Sequence, residues 1–109
     1  MSLPDLGLIL SPQAEEDFAD ILKYTLENWG ETQVFAYRAI LDKALLAIQQ
    51  HPQIGHVHPE LSAAHRLFPA GRHLIIYRPG DDAVYVSRIL HGRMDIGRHN
   101  TKKSEGCDC

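Results

Sequence analysis

The sequence predicts an α+β fold: an N-terminal strand, an antiparallel helical hairpin, then a three-stranded antiparallel meander. Three observations lead there. Two successive stretches, 12–29 and 31–50, repeat their apolar residues at helical spacing with a single glycine, Gly30, between them. A short apolar run at 6–10 precedes them. Beyond a breaker-rich stretch at 52–64 lie three segments suited to strands, separated by turn residues.

The elements follow in chain order. Leu-Gly-Leu-Ile-Leu at 6–10 reads as a short buried strand. Ser11-Pro12 opens the first helix, with serine as N-cap and proline where its missing N–H costs nothing. Glu15, Glu16 and Asp17 then sit where the helix dipole favours negative charge. Ala14, Phe18, Ile21, Leu22, Thr25 and Trp29 advance by three and four, which assigns them to one face, and Gly30 ends the helix. The second helix carries Val34, Tyr37, Leu41, Ala44, Leu45 and Ile48 as its stripe, and Pro52 prevents its continuation. So short a connection implies an antiparallel hairpin.

Residues 65–69 make the next strand, with Ala70-Gly71 turning into 72–78. Pro79-Gly80-Asp81-Asp82 is a strong turn, and Ala-Val-Tyr-Val-Ser-Arg-Ile-Leu at 83–90 is a third strand. In 72–78, Arg72, Leu74, Ile76 and Arg78 share one face while His73, Ile75 and Tyr77 share the other. Both faces are partly apolar, so one covers the helices and the other needs separate cover. The pairing partner of the first strand stays open at this level.

The chain has 109 residues, the length of one domain, expected at 1–100 with a disordered tail at 101–109. No apolar run approaches the roughly 20 residues that span a bilayer and no signal peptide opens the sequence, so the expected location is the cytoplasm, with no membrane contact. Cys107 and Cys109 are too close together to staple anything structural. His56 and His58 lack the further fixed ligands of a zinc site, so neither a metal nor a cofactor is expected.

Charge is unevenly placed. Residues 1–64 hold nine acidic and three basic groups; residues 65–100 hold six arginines against three aspartates, and the whole chain has a net charge of −3. The basic segment is a candidate working surface, while the acidic total argues against direct sequence-specific DNA binding.

Three stretches together resemble the ParE branch of the RelE/ParE toxin superfamily. They are I-L-S-P-Q-A-E-E-D-F-A-D-I at 9–21, F-P-A-G-R-H-L-I-I-Y-R at 68–78 and I-L-H-G-R-M-D at 89–95. In this order, the resemblance spans residues 6–100. It implies the toxin of a bacterial type II toxin–antitoxin pair, in hetero-oligomeric complex with a cognate antitoxin. ParE-like members are described as inhibitors of DNA gyrase that leave DNA breaks, and RelE-like relatives as ribosome-dependent endoribonucleases that cut mRNA. A non-toxic interaction module of the same fold is a third expectation.

The ParE-like reading expects no catalytic residues. Its gyrase contacts are sought in the charged, partly apolar segment of Arg93, Met94, Asp95, Ile96 and Arg98. Antitoxin contacts are sought at Phe18, Trp29, Tyr37 and Leu41, because two stripes this wide exceed what a core can cover. The hairpin's outer surface is expected to bear Asp17, Lys23, Glu27, Arg38 and Asp42. An RNA-cutting chain would instead use Arg72, Arg88, His91 and Arg93 as cations and proton carriers, with His73 and His99 as further histidines. Against cutting stand the negative net charge, the absence of a lysine-rich character, and Arg93-Met94-Asp95 where a Tyr or His-Tyr pair would close the sheet-end motif.

Overall fold

The computed structural model describes residues 7–62 and 64–92. Its elements run β1 (Gly7–Leu10), α1 (Pro12–Trp29), α2 (Glu31–Gln50), β2 (Arg66–Ala70), β3 (His73–Pro79) and β4 (Ala83–His91), the α+β order that the sequence predicts. The sheet order is β1-β4-β3-β2. The meander β2-β3-β4 is antiparallel, and β1 joins its β4 edge in parallel, which settles the placement left open above.

Local chemistry fixes the helix ends. The Ser11 hydroxyl accepts from the Ala14 N–H at 3.0 Å and donates to the Ser87 carbonyl at 2.8 Å, so one side chain caps α1 and ties it to β4. Gly30 is both the end of α1 and the start of α2, at φ +90°, a conformation that glycine alone adopts without strain. A one-residue corner leaves the helices no alternative to lying side by side, with α1 over β4 and α2 over β2.

The main core lies between the hairpin and the sheet, centred on Leu41 and Ile48 of α2, Ala14 of α1, and Ile75, Tyr77, Val84 and Val86 of the strands. The opposite sheet face receives the separate cover that its sequence demands: Leu61, from the stretch between α2 and β2, packs with Ile76 and Leu90. Tyr77 holds that stretch in place. Its buried hydroxyl donates to the Pro52 carbonyl at 2.7 Å and accepts from the Gly55 N–H at 2.8 Å. Burial pushes the Tyr77 phenol above its ordinary value of 10.0.

One irregularity in β4 matters for the site. Tyr77 pairs with Val86 but Ile76 pairs with Arg88, so Ser87 is an extra residue, a β-bulge. The bulge shifts the alternation: Val84 and Val86 face the helices before it, and Ile89 joins the same core after it. The bulge is braced from α1, by Ser11 on the Ser87 carbonyl and by Asp17 on the residues that follow.

Candidate functional site

At the turn end of the sheet the second half of α1 overhangs the strands and leaves a groove of about 610 Å³. Its helical wall is Asp20, Ile21, Tyr24, Thr25 and Trp29 of α1 with Gln33 and Tyr37 of α2; its strand wall is Arg72, His73 and His91. Ile21 and Thr25 form the floor, and the Thr25 hydroxyl is satisfied by donating to the Ile21 carbonyl at 2.7 Å. The rim is aromatic and open, with Tyr24 63% and Trp29 64% exposed. Aromatic bodies with a polar tip, left in water beside cations, are the composition of a binding surface.

The strand wall is built by register. His73 opens β3 and His91 closes β4, and the antiparallel ladder sets them opposite each other. Their rings meet edge to face at 5.3 Å between centroids, and Tyr37 meets His73 similarly at 5.5 Å. The Tyr37 oxygen lies 2.6 Å from His73 Nδ1, accepts from the Arg72 N–H at 2.8 Å, and lies 3.3 Å from the Ala70 carbonyl that it can donate to. A helix side chain thus reads the backbone of the β2–β3 turn and fixes the histidine beside it. Gly71 makes this approach possible. It sits at φ +60°, and a Cβ there would come within 2.7 Å of the Tyr37 oxygen. Burial pushes the His73 imidazole below its ordinary value of 6.5, with the neighbouring His91 adding to the shift; burial raises the Tyr37 phenol above 10.0.

Of the four cations and proton carriers expected of an RNA-cutting site, the three among the described residues, Arg72, Arg88 and His91, do not all assemble. Arg72 and His91 meet in the groove, but Arg88 is held elsewhere. Its Nε and NH2 donate to the two oxygens of Asp17 at 2.7 and 3.1 Å, and the same carboxylate accepts the Ile89 N–H at 3.0 Å. This fork-to-fork arrangement raises the Arg88 value further, chiefly through the hydrogen bond to Asp17. Asp17 is therefore corrected from the hairpin's outer surface to an inward-facing brace, with its side chain only 14% exposed.

The antitoxin candidates divide in a way that their shared helical period could not show. Leu41 is fully buried at the centre of the core and offers no surface, which corrects its assignment to a groove. Phe18 is half-buried against the same core. Tyr37 is largely buried but presents one edge to the groove. Trp29, placed on the core face by its spacing, is at the rim instead, the last residue of α1 and 64% exposed.

Arg93, Met94, Asp95, Ile96 and Arg98 lie outside the described residues, as do His99, Cys107 and Cys109. His58 and His65 have local roles: His58 Nδ1 accepts from the Glu60 N–H at 3.0 Å, and His65 Nδ1 lies 2.8 Å from the Ser62 hydroxyl. No group of three or more metal-ligating side chains is found among the described residues. Sequence reasoning missed Asp20, Tyr24 and Gln33; the i,i+4 spacing of Asp20 and Tyr24 on the overhanging half of α1 was the available signal.

The comparisons with known proteins agree with this architecture. A family profile described as "ParE toxin of type II toxin-antitoxin system, parDE" matches residues 8–96. Toxin ParE1 of Mycobacterium tuberculosis is 34% identical over 92 residues, covering 84% of this chain and 94% of the relative. Toxin ParE1 of Caulobacter vibrioides is 33% identical over 90 residues, covering 83% and 93%. Among solved structures, a chain of the chromosomal ParDE system from P. aeruginosa superposes with a TM-score of 0.69 at 14% identity, covering 82% of this chain and 98% of that one.

Proposed function

The chain belongs to the ParE toxin family of type II toxin–antitoxin systems, and we propose that it arrests growth by binding DNA gyrase and trapping its DNA-cleavage complex. A cognate antitoxin neutralises it in a hetero-oligomer, with the groove as the receiving face and Trp29 and Tyr24 as exposed anchors. The toxin acts by binding and not by catalysis. It acts in the cytoplasm, where both partners reside; no described helix is long and apolar enough to cross a membrane.

The observation that supports binding over cutting is the capture of Arg88 by Asp17. A nuclease needs cations aimed at the charge that develops on the phosphate. Arg88 already spends both faces of its fork on a carboxylate, and withdrawing it would strand that carboxylate in a mostly buried place. The meeting of Arg72, His73 and His91 favours RNA cleavage as the second reading.

Expression in bacteria without antitoxin separates the two. The Arg72→Ala/His91→Ala variant should still arrest growth and leave transcripts intact. Cleaved transcripts with the wild-type chain, and loss of both cleavage and arrest with the variant, would establish the second reading instead.

A further inference from the structure

We propose that the groove receives an acidic segment of its protein partner and takes up a proton at His73 as it does so. This rests on the reading of the groove as the partner-binding face and adds the chemistry of the occupant and a control by pH.

The charges facing the histidines make the case. From α1 the groove is faced by one carboxylate, Asp20, and the neutral phenol of Tyr24; from α2, by the neutral side chains of Gln33 and Tyr37; from the β2–β3 turn, by Arg72. With His73 neutral the strand wall carries the charge of Arg72, and a proton on His73 adds a second. An occupant seated on the aromatic rim therefore meets a wall suited to carboxylates.

The Tyr37 hydroxyl accommodates either state of His73. When His73 Nδ1 carries no proton, the hydroxyl donates to it across 2.6 Å. When Nδ1 is protonated, it donates to the Tyr37 oxygen, and the hydroxyl turns to the Ala70 carbonyl at 3.3 Å. The Tyr37–His73 hydrogen bond is kept in both states, and the Ala70 carbonyl receives the hydroxyl proton only in the second. What opposes the proton is burial and neighbouring positive charge, the two causes that lower the His73 value. A carboxylate in the groove offsets the positive charge and supplies the imidazolium with a partner, so binding and protonation reinforce each other.

The full chain supplies its own reporter, since Trp29 on the rim is the only tryptophan among its 109 residues. The probes are two synthetic amphipathic helices of about 20 residues that share a leucine stripe. One has glutamates on its polar face and the other glutamines. Binding is followed by Trp29 fluorescence at about pH 7.5 and about pH 6, a window chosen around the ordinary imidazole value.

The glutamate peptide should bind about fivefold tighter at the lower pH, and the glutamine peptide equally at both. His73→Asn should bind the glutamate peptide without that gain, and His91→Asn, at a half-buried position, should keep a gain, since it removes a neighbour that opposes the proton on His73. Equal affinity of the glutamate peptide at both pH values in the wild-type chain would overturn the proton linkage while leaving the groove reading intact. An undiminished gain in His73→Asn, or a gain lost in His91→Asn, would do the same. Failure of both peptides to perturb Trp29 at either pH would overturn the linkage and the groove reading together.

Discussion

Replacing Asp17 by alanine tests the brace between α1 and the β4 bulge. The change removes both acceptors of the Arg88 fork and the acceptor of the Ile89 N–H, contacts of 2.7, 3.1 and 3.0 Å. Breaking a fully buried pair by deleting one partner costs about 3–5 kcal/mol. Here the Asp17 side chain is 14% and the Arg88 side chain 31% exposed, so water reaches the stranded guanidinium and softens its loss. The expected destabilisation is about 2–3 kcal/mol. For a domain of this size that lowers the midpoint of thermal unfolding by about 10–20 °C.

Urea unfolding followed by circular dichroism reads this directly, and Asp17→Asn should lose about half as much, because its amide oxygen can still accept the Ile89 N–H. A double-mutant cycle with Arg88→Met isolates the pair and should give a coupling of about 1 kcal/mol or more. A loss under about 0.5 kcal/mol for Asp17→Ala, or an additive cycle, would refute the reasoning.

Three further outcomes are expected. Because His73 binds its proton less readily when folded, its contribution to stability is intact above its ordinary value of 6.5 and declines as pH falls through the lowered one; unfolding free energies between about pH 7 and about pH 5 should show that slope, and His73→Asn should flatten it. Gly71→Ala should destabilise by about 1–3 kcal/mol, since it combines a φ of +60° with a Cβ driven into the Tyr37 ring, and an unchanged urea midpoint would contradict the Tyr37 contact. Truncation after Gly92 should preserve unfolding and antitoxin binding yet weaken gyrase inhibition about tenfold or more; full potency would remove the 93–98 segment from the gyrase contact.

The legible parts of this fold are those that local chemistry decides. Ser11-Pro12 and Gly30 mark helix ends because capping and positive φ are properties of single residues. The two-sided hydrophobicity of β3 announced a second layer of cover, which Leu61 provides. The pairing of β1 with β4 was not legible, since β1 is four residues long and meets its partner more than seventy residues later in the chain. Nor was the bulge: 83–90 is apolar on both sides for most of its length, so its pattern does not single out Ser87 as an extra residue. The same distance hid Asp17, whose partner lies 71 positions away and whose neighbours made it look like an ordinary first-turn acid. For the groove, helical period named Trp29 and Tyr37 but could not tell which stripe residues the sheet covers; Leu41 and Trp29 share a pattern and have opposite fates.

The decisive experiment is to incubate purified chain with gyrase, ATP and supercoiled plasmid, quench with detergent and protease, and separate the plasmid forms on a gel. Linear plasmid should accumulate with toxin dose and disappear when the antitoxin is added first. Undisturbed supercoiling by gyrase, from a folded chain that still arrests growth, would contradict gyrase as the target.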